Sequence, residues 1–360
     1  MKRYAHELSS AMSELDQQRW KFELVQPQAR RWMSVLPARL ESAISRYALY
    51  PLTLHRRSAD VFHVLDHGYG HLVRSVEPSR AIVTCHDLIP LLSADRRIPV
   101  TVPAGVAKTF RFRIREMARA GRVITISEAT RNTLLEYTAL PASRITVILY
   151  GVNRTFRPAE PNEVEATKRR LAIPINAQVI LQVATRGRYK NTPGLLRAFA
   201  ILKKRVGEAL LVRVGVPLYD DEAALAAQLG VTDSIHYVGM VADDRRLAEW
   251  YRSATVLAFP SFWEGFGWPP LEAMASGTPV VASTIPAIQE VAQQAAALVD
   301  PQDHDALAAA LERVITDCAY AQELRVRGLE RARHLTWAEA ARKTLDVYDE
   351  VAGSRIGESS

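Results

Sequence analysis

Short apolar runs alternate with helical stretches along almost the whole chain, and this alternation restricts the fold more than any other feature of the sequence. Val61 to Leu65, Ala81 to Cys85, Val123 to Ile126 and Ile145 to Leu149 occupy the first half. Val179 to Val183, Leu210 to Val214, His236 to Val238, Thr255 to Phe259, Pro279 to Ala282 and Ala297 to Val299 occupy the second. Strands that are apolar on both faces and separated by helices predict parallel sheets covered on each side, an α/β class. The 360 residues suffice for two domains, each with its own core. Two Rossmann-like, doubly wound domains are therefore expected. Between the two sets of strands, Asn153-Arg154-Thr155-Phe156-Arg157-Pro158 and then Glu160-Pro161-Asn162 have the polar, proline-punctuated character of a linker. This places the domains at residues 1–160 and 161–335.

Bulk properties exclude several classes. Hydrophobic residues make up 48% of the chain and charged residues 24%, the balance of a globular protein rather than a disordered or fibrous one. No apolar run reaches the roughly 18–20 residues of a membrane-spanning helix and no signal peptide precedes the first helix-like segment, so a cytoplasmic protein is expected. Cys85 and Cys318 stand far apart without metal-type spacing, which argues against a disulfide framework and a zinc site. The net charge of +7 is unevenly spread. Lys108, Arg111, Arg115, Arg119 and Arg122 recur at helical spacing beside an apolar stripe of Phe110, Ile114 and Met117. Such a segment either lies on an anionic membrane surface or packs on the core with a solvated basic face, the second being the simpler reading. Nucleic acid is not an expected partner, because no recognised motif or aromatic-basic interleaving accompanies the charge.

Chemistry concentrates in Phe259-Pro260-Ser261-Phe262-Trp263-Glu264-Gly265-Phe266-Gly267-Trp268-Pro269-Pro270-Leu271-Glu272, where an apolar strand runs into a glycine-rich loop and then a helix. Gly265 and Gly267 allow a ligand close to the backbone, and Pro269-Pro270 suits a first helical turn. The unpaired N–H groups and the roughly +0.5 charge of a helix N-terminus favour a diphosphate or a polarised sugar hydroxyl beside Gly265, Phe266 and Gly267. Glu264 and Glu272 are then placed to grip hydroxyls. Each acid alone has an ordinary explanation: Glu272, expected in the first helical turn, gains about 0.3–1 kcal/mol from the dipole, and Glu264 reads as a solvated loop acid. Together with Ala273-Met274-Ala275-Ser276-Gly277-Thr278-Pro279-Val280-Val281, however, the string resembles the E-x7-E signature of glycosyltransferase family 4, the retaining GT-B glycosyltransferases.

Further segments extend the resemblance. Val179 to Asn191 is a strand followed by a basic loop, and cations at a strand's carboxyl end suit a departing nucleoside diphosphate. Lys190 matches the phosphate lysine of the family's Arg-Lys-Asn pattern, but Tyr189 stands where an arginine is usual, so Arg186 or Arg188 is the expected second cation. Thr84-Cys85-His86-Asp87-Leu88-Ile89-Pro90 resembles the family's His-Asp-Leu-Ile-Pro segment, which implies His86 near the donor sugar and Asp87 near the acceptor. Ile124 to Thr130 resembles a strand-serine-helix element, and Tyr150-Gly151-Val152-Asn153 with Phe156 and Pro158 an interdomain crossing. Glu290-Val291 and Leu298 to Pro301 resemble the end of the donor domain. Trp337 opens a final helix, residues 336–353, that in such proteins packs back on the first domain, and Gly353 to Ser360 reads as a frayed tail. Members usually begin with a strand and a glycine loop beside the donor phosphates. Met1 to Leu8 reads as helix instead, so that strand and loop are missing from the expected pattern.

Two patterns invite a metal reading and are set aside. His63, His67 and His71 recur every fourth residue, but Gly68-Tyr69-Gly70 predicts a loop there, leaving His67 as a residue that lines the acceptor side. Asp303-His304-Asp305 directly precedes a helical run and reads as its N-cap.

The resemblance implies a GT-B fold, with two domains facing across a cleft, and a hexosyltransferase that retains anomeric configuration without a cofactor or a catalytic metal. Glu272 would hold the ribose and Glu264 the sugar of a GDP- or UDP-sugar, mannose first among candidates. Glu264, Lys190 and His86 would be the catalytic residues: Lys190, with Arg186 or Arg188, would meet the diphosphate, and His86 would stand on the opposite wall near the reactive centre. The acceptor would be a glycan or lipid-linked, as in bacterial mannosyltransferases of surface-polysaccharide assembly, at the inner face of the membrane. A sugar-nucleotide hydrolase or epimerase and a catalytically silent binding subunit are the alternatives. A nicotinamide dehydrogenase is not expected, since no G-x-G-x-x-G follows an early strand.

Overall fold

Each apolar run becomes a strand, and all strand pairings among the described residues are parallel. The computed structural model describes residues 2–15, 19–26, 37–185 and 187–353. The strands are β1 (Phe62–Val64), β2 (Ala81–Cys85), β3 (Arg122–Thr125), β4 (Ile145–Val147), β5 (Gln178–Ala184), β6 (Ala209–Gly215), β7 (Ile235–Gly239), β8 (Val256–Phe259), β9 (Val280–Ser283) and β10 (Ala297–Val299). Contacts divide the chain into two units, the first comprising Met1–Asp95, Thr101–Gly151 and Trp337–Ser360, and the second Arg96–Val100 and Val152–Thr336.

In the first unit four strands run in the order β1-β2-β3-β4, with Val64 opposite Val83 and Cys85 opposite Thr125. Every residue of β2 is buried, in keeping with the mostly apolar run Ala81 to Cys85, and its one polar side chain, Thr84, is hydrogen-bonded to His63. Each fully buried Val or Ile there contributes roughly 1.5–3 kcal/mol. The helix Ala104–Met117 lays Phe110, Ile114 and Met117 into this core and leaves Lys108, Arg111 and Arg115 exposed. The expected apolar stripe is therefore spent on packing. The helix is also shorter than the basic pattern: it ends at Met117, Arg119 lies beyond it, and Arg122 opens β3. The first helix, Lys2–Leu15, buries Tyr4, Leu8 and Met12. The last, Trp337–Gly353, belongs to the same unit and packs against it; of the tail only Gly353 lies within the described residues.

The second unit has six strands in the order β10-β9-β8-β5-β6-β7. The chain enters at the centre with β5, builds outward through β6 and β7, then returns to the other side of β5 as β8 and builds outward again. The order reverses between β5 and β8, where Leu181 faces Leu257. The carboxyl ends of these two strands, at the reversal of strand order, are the usual ligand position in a doubly wound sheet. One close approach depends on glycine. Gly215, at the end of β6, has φ +128°, and a Cβ there would lie 1.9 Å from the Ala184 carbonyl oxygen on β5.

Two local expectations shift. Glu160-Pro161-Asn162 is not linker: Pro161 opens the helix Pro161–Arg170, and the Glu160 N–H donates to the Glu163 carboxylate at 3.1 Å. Residues 152–160 belong with the second unit, because the Val152 N–H bonds to the Leu335 carbonyl and the Phe156 ring meets the edge of Tyr251. Asp303 caps the helix His304–Thr316, accepting from the Ala306 N–H at 2.8 Å. Among the described residues no helix is long and apolar enough to cross a membrane.

Candidate functional site

The two loops at the strand-order reversal carry the residues singled out in the sequence. After β5, one 3-10 turn spans Arg188–Lys190, and Asn191 then adopts a left-handed conformation with φ 52°. Asn191 ends that turn and starts the next helix, Thr192–Arg205: its side-chain oxygen accepts from the Gly194 N–H at 3.1 Å, and its amide donates to the Pro301 carbonyl at 2.7 Å. Asparagine tolerates this backbone and caps well, which explains the residue type. Lys190 is thereby aimed at the loop that follows β8.

In that second loop Glu264 receives it. The Lys190 ammonium donates to Glu264 Oε1 at 2.7 Å, and the two side chains are only 11% and 10% exposed. Nζ also lies 5.0 Å from the Tyr189 ring centroid and 5.2 Å from that of Phe259, within cation–π range. A backbone bond from the Phe262 N–H to the Tyr189 carbonyl at 2.7 Å ties the loops together. Glu264 is thus a buried, paired acid and not the solvated loop acid of the simpler reading.

Gly265 and Phe266 are buried, and Gly267 ends the loop with φ +106° as the cap of the helix Trp268–Ala275. Glu272 departs from expectation. The helix begins at Trp268, so Glu272 lies beyond its first turn, where the dipole's effect has fallen off. Its carboxylate is instead held by the buried Tyr251 hydroxyl, which donates to Oε2 at 2.7 Å.

The expected second cation is engaged elsewhere. Arg188 makes two hydrogen bonds to Asp221, at 2.6 and 3.1 Å, and its guanidinium lies 4.6 Å from the Tyr219 ring centroid. Arg186 lies outside the described residues. The sequence reading passed over Arg213, a buried cation near the end of β6. It donates to the Val216 carbonyl at 3.0 Å, to Thr192 Oγ1 at 3.2 Å and to the Gln182 side-chain oxygen, beneath the start of the Thr192–Arg205 helix. Burial lowers its pKa. A single arginine within the apolar run Ala209 to Gly215 was the available signal.

In the first unit, Asp66 and His67 follow β1, and His86 and Asp87 follow β2. The His86 N–H donates to His67 Nδ1 at 3.0 Å, and the two rings lie 5.7 Å apart. Nε2 of His86 faces the Leu65 carbonyl at 2.7 Å, so that nitrogen carries the proton and Nδ1 accepts from the Tyr150 hydroxyl. Burial holds the His86 pKa well below its usual value and raises that of Tyr150, so the ring is neutral and the phenol protonated. Both ring nitrogens are therefore taken by protein atoms. Asp87 accepts from the Ile89 N–H at 3.1 Å, and Asp66 from the Gly68 N–H at 2.7 Å.

The three histidines at four-residue spacing have separate partners. His63 bonds to the Tyr348 hydroxyl at 2.8 Å and to Thr84 Oγ1 at 2.7 Å, while His71 bonds to the Arg46 carbonyl at 3.0 Å. Where Gly68-Tyr69-Gly70 predicts a loop, the backbone forms short 3-10 turns with a kink at Tyr69.

Comparison with known proteins agrees with this architecture. Residues 163–334 match the family described as glycosyl transferases group 1, and residues 3–156 match glycosyltransferase family 4. The serotype-specific mannosyltransferase WbdA of Escherichia coli is 26% identical over 303 residues, or 80% of this chain and 36% of that protein. The chain thus spans about a third of that relative's length. Among solved structures, WaaG, a glycosyltransferase involved in lipopolysaccharide biosynthesis, superposes with a TM-score of 0.73 at 16% identity, over 98% of this chain and 96% of that one. Anabaena Alr3699/HepE, solved in complex with UDP and glucose, superposes with a TM-score of 0.71 at 17% identity, over 84% and 81% of the two chains. At these identities the structural likeness is one of fold. With its two halves matched by these families and its strands in the GT-B arrangement, the chain belongs to glycosyltransferase family 4.

Proposed function

We propose that this protein is a retaining glycosyltransferase that moves a sugar, mannose first among candidates, from a nucleotide-sugar to a glycan or lipid-linked acceptor in polysaccharide biosynthesis. The observation that carries this reading is the buried Lys190–Glu264 pair at the reversal of strand order, beside the glycine loop. A glycosyl transfer places negative charge on a departing diphosphate and positive charge on the sugar ring. A cation and an anion held 2.7 Å apart match that division of charge, Lys190 facing the diphosphate and Glu264 the sugar. Backbone amides of Gly265, Phe266 and Gly267 serve the sugar hydroxyls or phosphate, and Glu272 the ribose. Arg188 joins Lys190 if it leaves Asp221, and Arg186 is the other candidate. To the acceptor we assign Asp87 and His67 of the first unit, with His86 a neutral imidazole bonded to His67.

The nucleotide reading is supported by HepE, which was solved with UDP and glucose, and the sugar reading by the mannosyltransferase name of WbdA. Reaction on the front face, with acceptor and leaving group together, requires no enzymic nucleophile of the kind retaining glycosidases use. Positive charge comes from side chains in this scheme, so turnover is expected to survive EDTA. Exposed Lys108, Arg111 and Arg115 provide a basic face for weak, salt-sensitive contact with an anionic membrane.

Thermal shift with GDP, UDP, ADP and their sugar conjugates tests the donor site, using wild type, Lys190→Ala and Glu272→Ala. Selective stabilisation by one nucleotide, lost in both variants, is the expected result. No shift with any nucleotide refutes the donor reading. Sugar and nucleoside diphosphate released at full rate without an acceptor would identify a hydrolase instead.

A further inference from the structure

We propose that Tyr251 is a positioning residue for Glu272 and that recognition of the nucleotide's ribose depends on its phenol. This rests on the assignment of Glu272 to the ribose made above. The two side chains come from different helices, Asp244–Ser253 and Trp268–Ala275, and meet inside the second unit. Tyr251 is fully buried and Glu272 is 2% exposed, with 2.7 Å between the phenol oxygen and Oε2.

Tyr251 is fixed at three points. Its carbonyl accepts from Thr278 Oγ1 at 2.7 Å, its ring packs edge-on against Phe156 with centroids 5.7 Å apart, and its hydroxyl donates to Glu272. A glutamate has three side-chain torsions and loses substantial rotamer freedom when it must present a carboxylate in one orientation. A rigid donor on one oxygen removes that freedom in advance. The same bond also offsets the cost of burying the charge. Thr278 lies six residues beyond Glu272, so the segment that carries the acid also anchors its orienting tyrosine.

The experiment compares ribose with deoxyribose. Dissociation constants for GDP and UDP, and for their 2′-deoxy and 3′-deoxy counterparts, are measured by calorimetry on the full chain as wild type, Tyr251→Phe and Glu272→Gln. Wild type should favour the ribonucleotide that binds, and Glu272→Gln should erase the preference. Tyr251→Phe should cut it by about tenfold, roughly what one charge-assisted hydrogen bond contributes, while affinity for the deoxynucleotides stays unchanged. If Glu272→Gln erases the preference and Tyr251→Phe keeps it, the positioning role is overturned and the ribose assignment stands. Equal weakening of all nucleotides in Tyr251→Phe marks a purely structural bond and also overturns the proposal. A preference that survives Glu272→Gln removes the ribose assignment and the proposal with it.

Discussion

Lys190 and Glu264, 74 residues apart in sequence, meet at 2.7 Å with about a tenth of each side chain exposed. The topology alone accounts for this. Lys190 follows β5 and Glu264 follows β8, which are neighbours in the sheet because the chain returns to its centre after β7. Each charge offsets much of the other's desolvation cost, so the pair is coupled in stability as well as in the proposed chemistry.

Removing one partner should therefore be worse than removing both. Lys190→Ala leaves a buried carboxylate unpaired, and we expect a loss of about 3 kcal/mol of stability. In the proposed reaction the same variant should lower turnover at least ~100-fold, as loss of one oxyanion-stabilising donor does. Lys190→Met combined with Glu264→Leu should be more stable than either single change, yet inactive. Denaturation of wild type, Lys190→Met, Glu264→Leu and the double variant measures the coupling; strictly additive losses would show that the pair is not an energetic unit.

Gly267 should not tolerate a side chain. Its φ of +106° is strained for any L residue, and a Cβ would lie 2.4 Å from Cδ1 of fully buried Ile288. Gly267→Ala should cost at least ~2 kcal/mol and impair nucleotide binding, because the loop and the helix start move together. Gly105→Ala is the control. Nothing lies within 4 Å of a Cβ there, and the site is inside the helix Ala104–Met117, so a change of at most about 1 kcal/mol, towards greater stability, is expected. Equal melting temperatures for the two variants would contradict the argument.

The strands were legible because burial on both faces writes itself as unbroken apolar runs, and β2 and β10 coincide with the expected residues. The parallel order followed from the helices between them. Pair contacts were not legible, since a local pattern carries no record of which strand ends become neighbours; neither Lys190–Glu264 nor Tyr251–Glu272 has a sequence signal. Glu272 was placed a turn too early because the helix start depends on where Gly267 turns, and a Gly-Trp-Pro-Pro string does not mark that residue. Arg188, in the turn after β5, and Asp221, in the first turn of the helix Asp220–Gln228, pair without a sequence signal for the same reason. The neutral state of His86 arises from its burial, and its tautomer is set by Leu65 and Tyr150, which approach it only in the fold.

The last helix should be integral to the first unit. Trp337 is buried, with its ring centroid 6.0 Å from that of Tyr4 and 5.8 Å from that of Tyr150, and Tyr348 bonds to His63. Trp337→Ala removes a large buried ring and should cost about 3–5 kcal/mol. Tyr348→Phe keeps the ring and loses one hydrogen bond, for about 1 kcal/mol. Chemical denaturation distinguishes these from a helix that is only loosely attached, for which both variants would match wild type.

Stability should fall on mild acidification because of His63 and His86. Burial lowers the His63 pKa to about 3 and holds that of His86 well below its usual value, whereas in the unfolded chain both titrate near ~6.5. Above pH ~6.5 neither state binds the protons and the histidines add no pH dependence. Below it the unfolded chain takes up protons that the folded chain does not, at His63 and His86 and in part at His71, whose pKa burial also lowers, so each pH unit should cost about 1.4 kcal/mol for each histidine that stays neutral. For His63 this continues until its folded pKa of about 3 is reached. Most carboxylates titrate below pH ~5, but burial raises the Glu222 pKa and opposes the histidines there, so the difference between wild type and variant from pH ~6.5 to ~5 is what reports His63. Urea denaturation of wild type and His63→Gln across that interval tests the assignment. The variant should show a slope smaller than wild type by up to about 1.4 kcal/mol per pH unit, and an unchanged slope would mean that His63 is not held neutral in the fold.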